Sequence, residues 1–188
     1  MRAVQRLAVV AISQIVLAGA LASASVADAQ TTLRDQRGMP FDLAMLRGTP
    51  TVLTFIATHC RDACPLINAQ FEDVQRQLRS AHLPLRLLSL TLDPQNDHLA
   101  DMQRVARTFE ADPKYWVLAT GTRPTIDRIM RRFGVVAQKD ARGYADTHTT
   151  FIYVLDKRGR LVKTMLAGSR LSADLFTELE HDWRNLNS

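Results

Sequence analysis

Cysteine is scarce in this chain: Cys60 and Cys64 are the only two among 188 residues. A structural zinc site normally takes four protein ligands, and there is no second cysteine pair to supply them. No cysteine stands near the end of the N-terminal leader either, which argues against lipid attachment there. An arginine-rich strip with interleaved aromatics is also missing. The formal net charge of +5 therefore leaves no footprint for nucleic acid. The densest basic cluster, Arg128, Arg131 and Arg132, has helical spacing and reads as a solvated helix face. No internal repeat or low-complexity segment is visible.

With 46% hydrophobic and 23% charged residues, the chain is of ordinary globular composition, enough for one domain with a real core. The first thirty residues differ from the rest. Arg2 and Arg6 precede sixteen mainly apolar residues, Leu7 to Ala22, and small-residue sites follow at Ala22-Ser23-Ala24 and Ala27-Asp28-Ala29. That is the layout of a signal peptide. The apolar stretch falls short of the ~20 residues of a comfortable span, and an uncleaved anchor through residues 7–22 is the alternative. Residues 1–29 are thus expected to be a leader or membrane anchor, and residues 30–188 the domain. Export would place the cysteines in the periplasm, where disulfides form and persist.

Residues 31–50 alternate short apolar pieces with turn chemistry at Asp35–Gly38 and Gly48–Pro50, which predicts a small hairpin or cap. TVLTFIA (51–57) is apolar on both faces, as a buried central strand should be. Ile67, Phe71, Val74 and Leu78 then recur at helical spacing, with Pro65 in the first turn. LRLLSLTL (85–92) is a second buried strand, and DPQND turns into a helix bearing Leu99, Met102, Ala106 and Phe109. Strand, helix and strand in this order favour a parallel pair. A short strand over 115–121 and a helix from near Pro124, with Ile126, Ile129, Met130 and Phe133 inward, come next. QKDARGYAD reads as a polar loop. TTFIYVL (149–155) and LVKTML, joined through DKRGR, read as an antiparallel hairpin. Ser172 is expected to cap a last helix with Leu175, Phe176, Leu179 and Trp183 inward. The order is that of a thioredoxin-like α/β fold: a central mixed sheet flanked by helices, with an inserted strand and helix near 110–135 and an N-terminal hairpin.

The two cysteines lie in THCRDACP, between strand and helix. As a structural staple they would close a loop of five residues, worth roughly 2 kcal/mol in the chain-entropy model against about 4.7 for a loop of 100. Cys64 sits at a helix start, where unpaired N–H groups and the helix dipole favour a thiolate. Two soft thiolates one turn apart select Cu(I) or zinc, and Cu(I) is content with two or three ligands. Of five histidines, His82, His98 and His181 read as surface or capping residues. His59 adjoins Cys60 and is read as shaping its loop, since neighbouring side chains on an extended segment point to opposite faces. His148 is expected in a loop before the central strand TTFIYVL, and in a thioredoxin-like sheet this loop can lie near the helix start that carries Cys64.

Four segments in the same order resemble the Sco/SenC copper chaperones of cytochrome c oxidase assembly: THCRDACP (58–65), SLTLDPQND (89–97), ATGT (119–122) and HTTFIYVLDKRGR (148–160). The resemblance spans about residues 31–183. It implies one copper, as Cu(I) and also Cu(II), held by Cys60, Cys64 and His148. It further implies delivery to the copper-site subunit of the oxidase or to another copper protein, with a copper donor protein upstream. Arg61 replaces the usual proline, and Thr147 stands where an acidic residue often precedes the histidine, with Asp146 one step earlier. Such a change weakens orientation of the imidazole and bears on Cu(II) affinity. Asp93 and Asp97 read as a turn and helix-capping pair or as support for the loop. The alternative activity is that of a thiol-disulfide oxidoreductase, with Cys60 and Cys64 as attacking and resolving cysteines that pass through a Cys60–Cys64 disulfide. Reductases of this fold usually carry the tighter CxxC and need no His148. A peroxidase, with Arg61 as the activating residue, and a structural or copper-sensing role are further readings.

Overall fold

The computed structural model describes residues 33–60, 63–148, 151–168 and 170–186; the side chains of 146–148 and 180–185 also lie outside the description. The expected leader or anchor, residues 1–29, and Arg61 therefore lie outside the described residues.

Among the described residues, nine strands and four α-helices follow one another. They are β1 (Leu33–Asp35), β2 (Pro40–Phe41), a 3-10 turn (Leu43–Leu46), β3 (Thr51–Ile56), α1 (Ala63–Ala81), β4 (Arg86–Thr91), α2 (Leu99–Thr108), β5 (Trp116–Thr120), α3 (Arg123–Phe133), β6 (Ala137–Lys139), β7 (Ala145–His148), β8 (Phe151–Leu155), β9 (Leu161–Leu166) and α4 (Leu171–Leu186). Seven strands form one mixed sheet in the order β2-β1-β5-β4-β3-β8-β9. β3, β4 and β5 run parallel, and β8 returns antiparallel to β3. β1 joins the sheet as well, antiparallel to β5, so the N-terminal hairpin extends the sheet.

Period-two patterning divides the core. Leu53, Phe55 and Ala57 point to one face, where they meet Ile126, Ile129 and Phe133 of α3; Val52 and Ile56 point to the other, against Phe71 and Val74 of α1 and Leu175 of α4. Every residue of β3 is buried. Each fully buried large apolar side chain contributes about 1.5–3 kcal/mol. Trp116 is wholly buried, packs edge-on to Phe71 and donates its Nε1–H to Ser89 Oγ at 3.0 Å. α3 ends at Gly134 with φ +66°, and Val135 N–H closes onto Met130 carbonyl at 2.9 Å. A side chain there would enter the left-handed region that L residues avoid.

Two sequence expectations need correction. Residues 138–146 do not form an open loop: β6 and β7 pair antiparallel in a small sheet of their own, and His148 is a strand residue opposite Ala137. Ser172 lies inside the first turn of α4 and does not precede it. Its N–H donates to Gln70 Oε1 at 3.1 Å and its hydroxyl accepts Gln77 Nε2 at 2.8 Å, tying α4 to α1.

Three hairpin turns share one construction, and their sequences are DQRGM, DARGY and DKRGR. Asp35, Asp140 and Asp156 each accept the N–H groups two and four residues on, at 2.8–3.0 Å. The glycines Gly38, Gly143 and Gly159 stand at φ +81°, +84° and +77°. A type I turn followed by a left-handed residue is a common three-residue hairpin connection, and it turns β6 back as β7.

Candidate metal centre

β3 delivers the chain to the end of the sheet at which α1 begins. A tight turn, Cys60 N–H to Ala57 carbonyl at 3.2 Å, lifts Cys60 off the strand axis. Cys64 is the second residue of α1 and 2% exposed, and its Sγ accepts the Ala57 N–H at 3.4 Å. Both cysteines are thiols, and their side chains hydrogen-bond each other. Cys60 is half-buried and packs against both halves of the core.

The helix start does not make Cys64 acidic, contrary to the sequence expectation. The hydrogen bond with Cys60, then burial, push its thiol far above the ordinary range, and the Ala57 N–H opposes them only in part. A second negative charge beside a neighbouring sulfur in a low-dielectric site is costly. A soft metal ion between the sulfurs would remove that cost by displacing the protons.

The DPQND turn after β4 is more than a turn and helix cap. Asp97 and Asp93 are each 1% exposed. Asp97 Oδ1 accepts both the N–H of Thr58, at 3.0 Å, and its hydroxyl, at 2.5 Å; Oδ2 accepts Thr91 Oγ1 at 2.7 Å. Burial raises the Asp97 carboxyl above its ordinary value, and the hydrogen bonds from Thr58 and Thr91 offset only part of that. Asp93 Oδ2 accepts the Ala145 N–H at 2.9 Å and Asn96 Nδ2 at 2.7 Å, with Lys139 Nζ 3.4 Å from Oδ1. Burial pushes Asp93 up too, but Asn96, the Ala145 N–H and Lys139 outweigh it and hold the carboxyl below its usual range.

His59 reaches the same network. Its Nδ1 lies 3.6 Å from Asp97 Oδ1, and its ring stacks on Tyr144 at 4.3 Å between centroids. Tyr144 escaped the sequence reading, although the DxRG pattern of its turn was a usable signal. His82 follows the last residue of α1 in the left-handed region at φ +53°, and the His98 N–H donates to Asp101 Oδ2 at 2.9 Å, in keeping with their terminal and capping places. The backbone of His148 closes β7 three residues after Ala145, while its side chain and those of Asp146 and Thr147 lie outside the description. Among the described residues no three His, Cys, Asp or Glu side chains converge as a metal site.

A family model described as SCO1/SenC matches residues 20–181. The chain belongs to the SCO1/SenC family. This member is 25% identical over 134 residues to the SCO1 protein homolog of Bacillus subtilis, covering 70% of this chain and 69% of that one. It is 33% identical over 146 residues to the mitochondrial SCO2 homolog of Bos taurus, covering 74% of this chain and 54% of the bovine one. Among solved structures it is similar to Bradyrhizobium japonicum ScoI with copper bound, with TM-score 0.66, 27% identity, and 78% and 95% of the two chains covered. BsSco, in which a disulfide switch has been identified and whose Sco family is one of cytochrome c oxidase assembly proteins, shares the fold, with TM-score 0.67 and 22% identity over 79% and 88% of the chains. The thioredoxin-like α/β architecture is thus that of the family.

Proposed function

We propose that this SCO1/SenC protein is a periplasmic copper metallochaperone. It carries one copper ion on the thiolates of Cys60 and Cys64 with the imidazole of His148 as third donor, and hands it to the dinuclear copper site of cytochrome c oxidase. The observation that carries the reading is the side-chain contact between Cys60 and Cys64 at the start of α1. Two soft sulfurs already in contact fit Cu(I), which needs no four-ligand cage. The copper bound to the similar ScoI supports the choice of metal.

Each copper taken up replaces the thiol protons, so affinity rises with pH. A recipient offering its own thiolates or imidazoles replaces the donors one at a time, and the ion never passes through water. Residues 1–29 act as an export signal or membrane anchor; among the described residues no helix is long and apolar enough to cross a membrane.

The same contact favours a second reading, reduction of a copper protein's disulfide before metal transfer. The Cys60 thiolate attacks one sulfur of the target, and the other leaves as a thiolate. Cys64 then attacks Cys60 Sγ, which releases the second target thiolate and leaves a Cys60–Cys64 disulfide; two electrons pass to the target.

Titration of the reduced protein with Cu(I) under a competing chelator tests the first reading. One equivalent should bind to wild type, none tightly to Cys60→Ser or Cys64→Ser, and His148→Ala should bind more weakly. Undiminished binding in either cysteine variant overturns the clamp. Reduction of an oxidized copper-site domain by metal-free protein decides the second.

A further inference from the structure

The cysteine loop and the β6–β7 hairpin come from distant parts of the chain, yet a single seven-residue turn grips both. Thr58, two residues before Cys60, and Ala145, three before His148, each present a backbone N–H to a carboxylate of that turn. Leaving such a buried N–H without an acceptor is costly, so each loop is held where its carboxylate is.

We propose that the segment from Thr91 to Asp97 is a yoke that sets the spacing between the cysteine pair and the strand of His148, with Asp97 and Asp93 as its two positioning residues. The inference rests on the reading of Cys60, Cys64 and His148 as copper donors.

The yoke is internally braced. Thr91 Oγ1 donates to Asp97 Oδ2 and accepts the Asp93 N–H at 2.9 Å, and the Asp97 N–H returns to the Asp93 carbonyl at 2.8 Å. Thr120 at the end of β5 donates to the Asp97 carbonyl at 2.8 Å, which fixes the turn to the sheet. On the hairpin side Asn96 adds a bond to the Gly143 carbonyl at 3.0 Å, and Lys139 spans Asp93 and Gln95. Between the two loops lies the stack of His59 on Tyr144. Neither carboxylate is placed as a copper donor; each acts through the loop it holds.

The test has a metal arm and a metal-free arm. Cu(I) affinity is measured by chelator competition for wild type, Asp93→Asn, His148→Ala and the double variant. Asp93→Asn should weaken binding about 10–100-fold, as loss of groups that orient ligands does, and should add little once His148 is alanine. Unchanged affinity, or full additivity of the two substitutions, overturns the Asp93 half. In metal-free reduced protein, Asp97→Asn should speed alkylation of buried Cys64 by about tenfold or more, through the lost hydrogen bonds to the cysteine loop and through removal of a negative charge that disfavours the Cys64 thiolate. Thr58→Ala, which keeps the carboxylate, should speed it less and serves where Asp97→Asn fails to fold. Unchanged Cys64 reactivity in folded Thr58→Ala, where the charge beside the thiol is kept, overturns the Asp97 half. If wild type binds no Cu(I), the donor reading and the His148 arm fall together, while the alkylation arm still decides what Asp97 does.

Discussion

The ring of His59, beside Cys60, lies flat on the ring of Tyr144, on the β6–β7 hairpin, with centroids 4.3 Å apart and planes 21° from parallel. The Arg142 guanidinium lies 5.6 Å from the same tyrosine ring. The stack is the one aromatic seam between cysteine loop and hairpin among the described residues. A double-mutant cycle of His59→Ala and Tyr144→Ser on urea unfolding should give a coupling of about 0.5–1.5 kcal/mol. Additivity within about 0.3 kcal/mol would show that the rings touch without stabilising each other.

Ser89 has its hydroxyl at 0% exposure, where it accepts the Trp116 indole N–H. Ser89→Ala leaves that donor buried without this acceptor and should cost about 1–3 kcal/mol. Ser89→Thr keeps the oxygen and should cost less unless its methyl overpacks the site. Chemical denaturation of both variants checks the order.

Opposite pH slopes are expected from the two yoke carboxylates. Asp93 is held below its ordinary value, so it stabilises the fold above the unfolded pKa near ~3.9 and loses that contribution as pH falls through its lower folded value. Asp97 is raised by burial, so its favourable contribution is present below the unfolded pKa and is lost as pH rises through the folded one. Asp93→Asn should flatten the acid loss of stability, and Asp97→Asn the decline above about pH 4. Urea midpoints in a pH series would read both, and a shared direction of change would contradict the assignment.

Most of the scaffold was legible because its signals are local. Val52, Leu53, Phe55 and Ile56 announce a strand buried on both faces, and Ile67, Phe71, Val74 and Leu78 announce a helix face. The hairpin of β6 and β7 was not legible from hydropathy, because Gln138 and Lys139 are exposed and offer no alternation. Its signal was chemical: DARGY has the same D-x-R-G spacing as DQRGM and DKRGR, both of which read as turns. The contact of the two cysteines follows from one turn of separation, but the direction of the Cys64 shift does not. The helix start alone favours a thiolate, whereas the neighbouring sulfur and burial, visible only once the chain is folded, prevail. Asp93 and Asp97 likewise read as turn residues, since their partners Ala145 and Thr58 lie 52 and 39 positions away.

Cys60 should react before Cys64. Cys64 is 2% exposed with its sulfur engaged by the Ala57 N–H, whereas Cys60 is half-buried. Limited alkylation of the reduced protein near about pH 8, read by peptide mass mapping, should give Cys60 adducts first, since thiol reactivity follows exposure and thiolate character. Equal labelling of both would mean that the start of α1 opens on the labelling timescale.

Gly143 separates backbone strain from side-chain clashes. At φ +84° it needs the left-handed region, yet a Cβ there would meet nothing within 4 Å. Gly143→Ala should therefore cost about 1–2 kcal/mol through the backbone alone, and the equivalent glycines Gly38 and Gly159 stand at φ +81° and +77°. Gly38 is not a clean control, since its Cβ would come within 3.3 Å of Leu99 Cδ2, so Gly159 is the better one. Only the Gly143 change loosens the turn that leads into Ala145 and His148. If the hairpin places a copper donor, Gly143→Ala should weaken Cu(I) binding where Gly159→Ala, at similar loss of stability, leaves it intact. Equal effects on copper from both would show that binding follows global stability and not the placement of this hairpin.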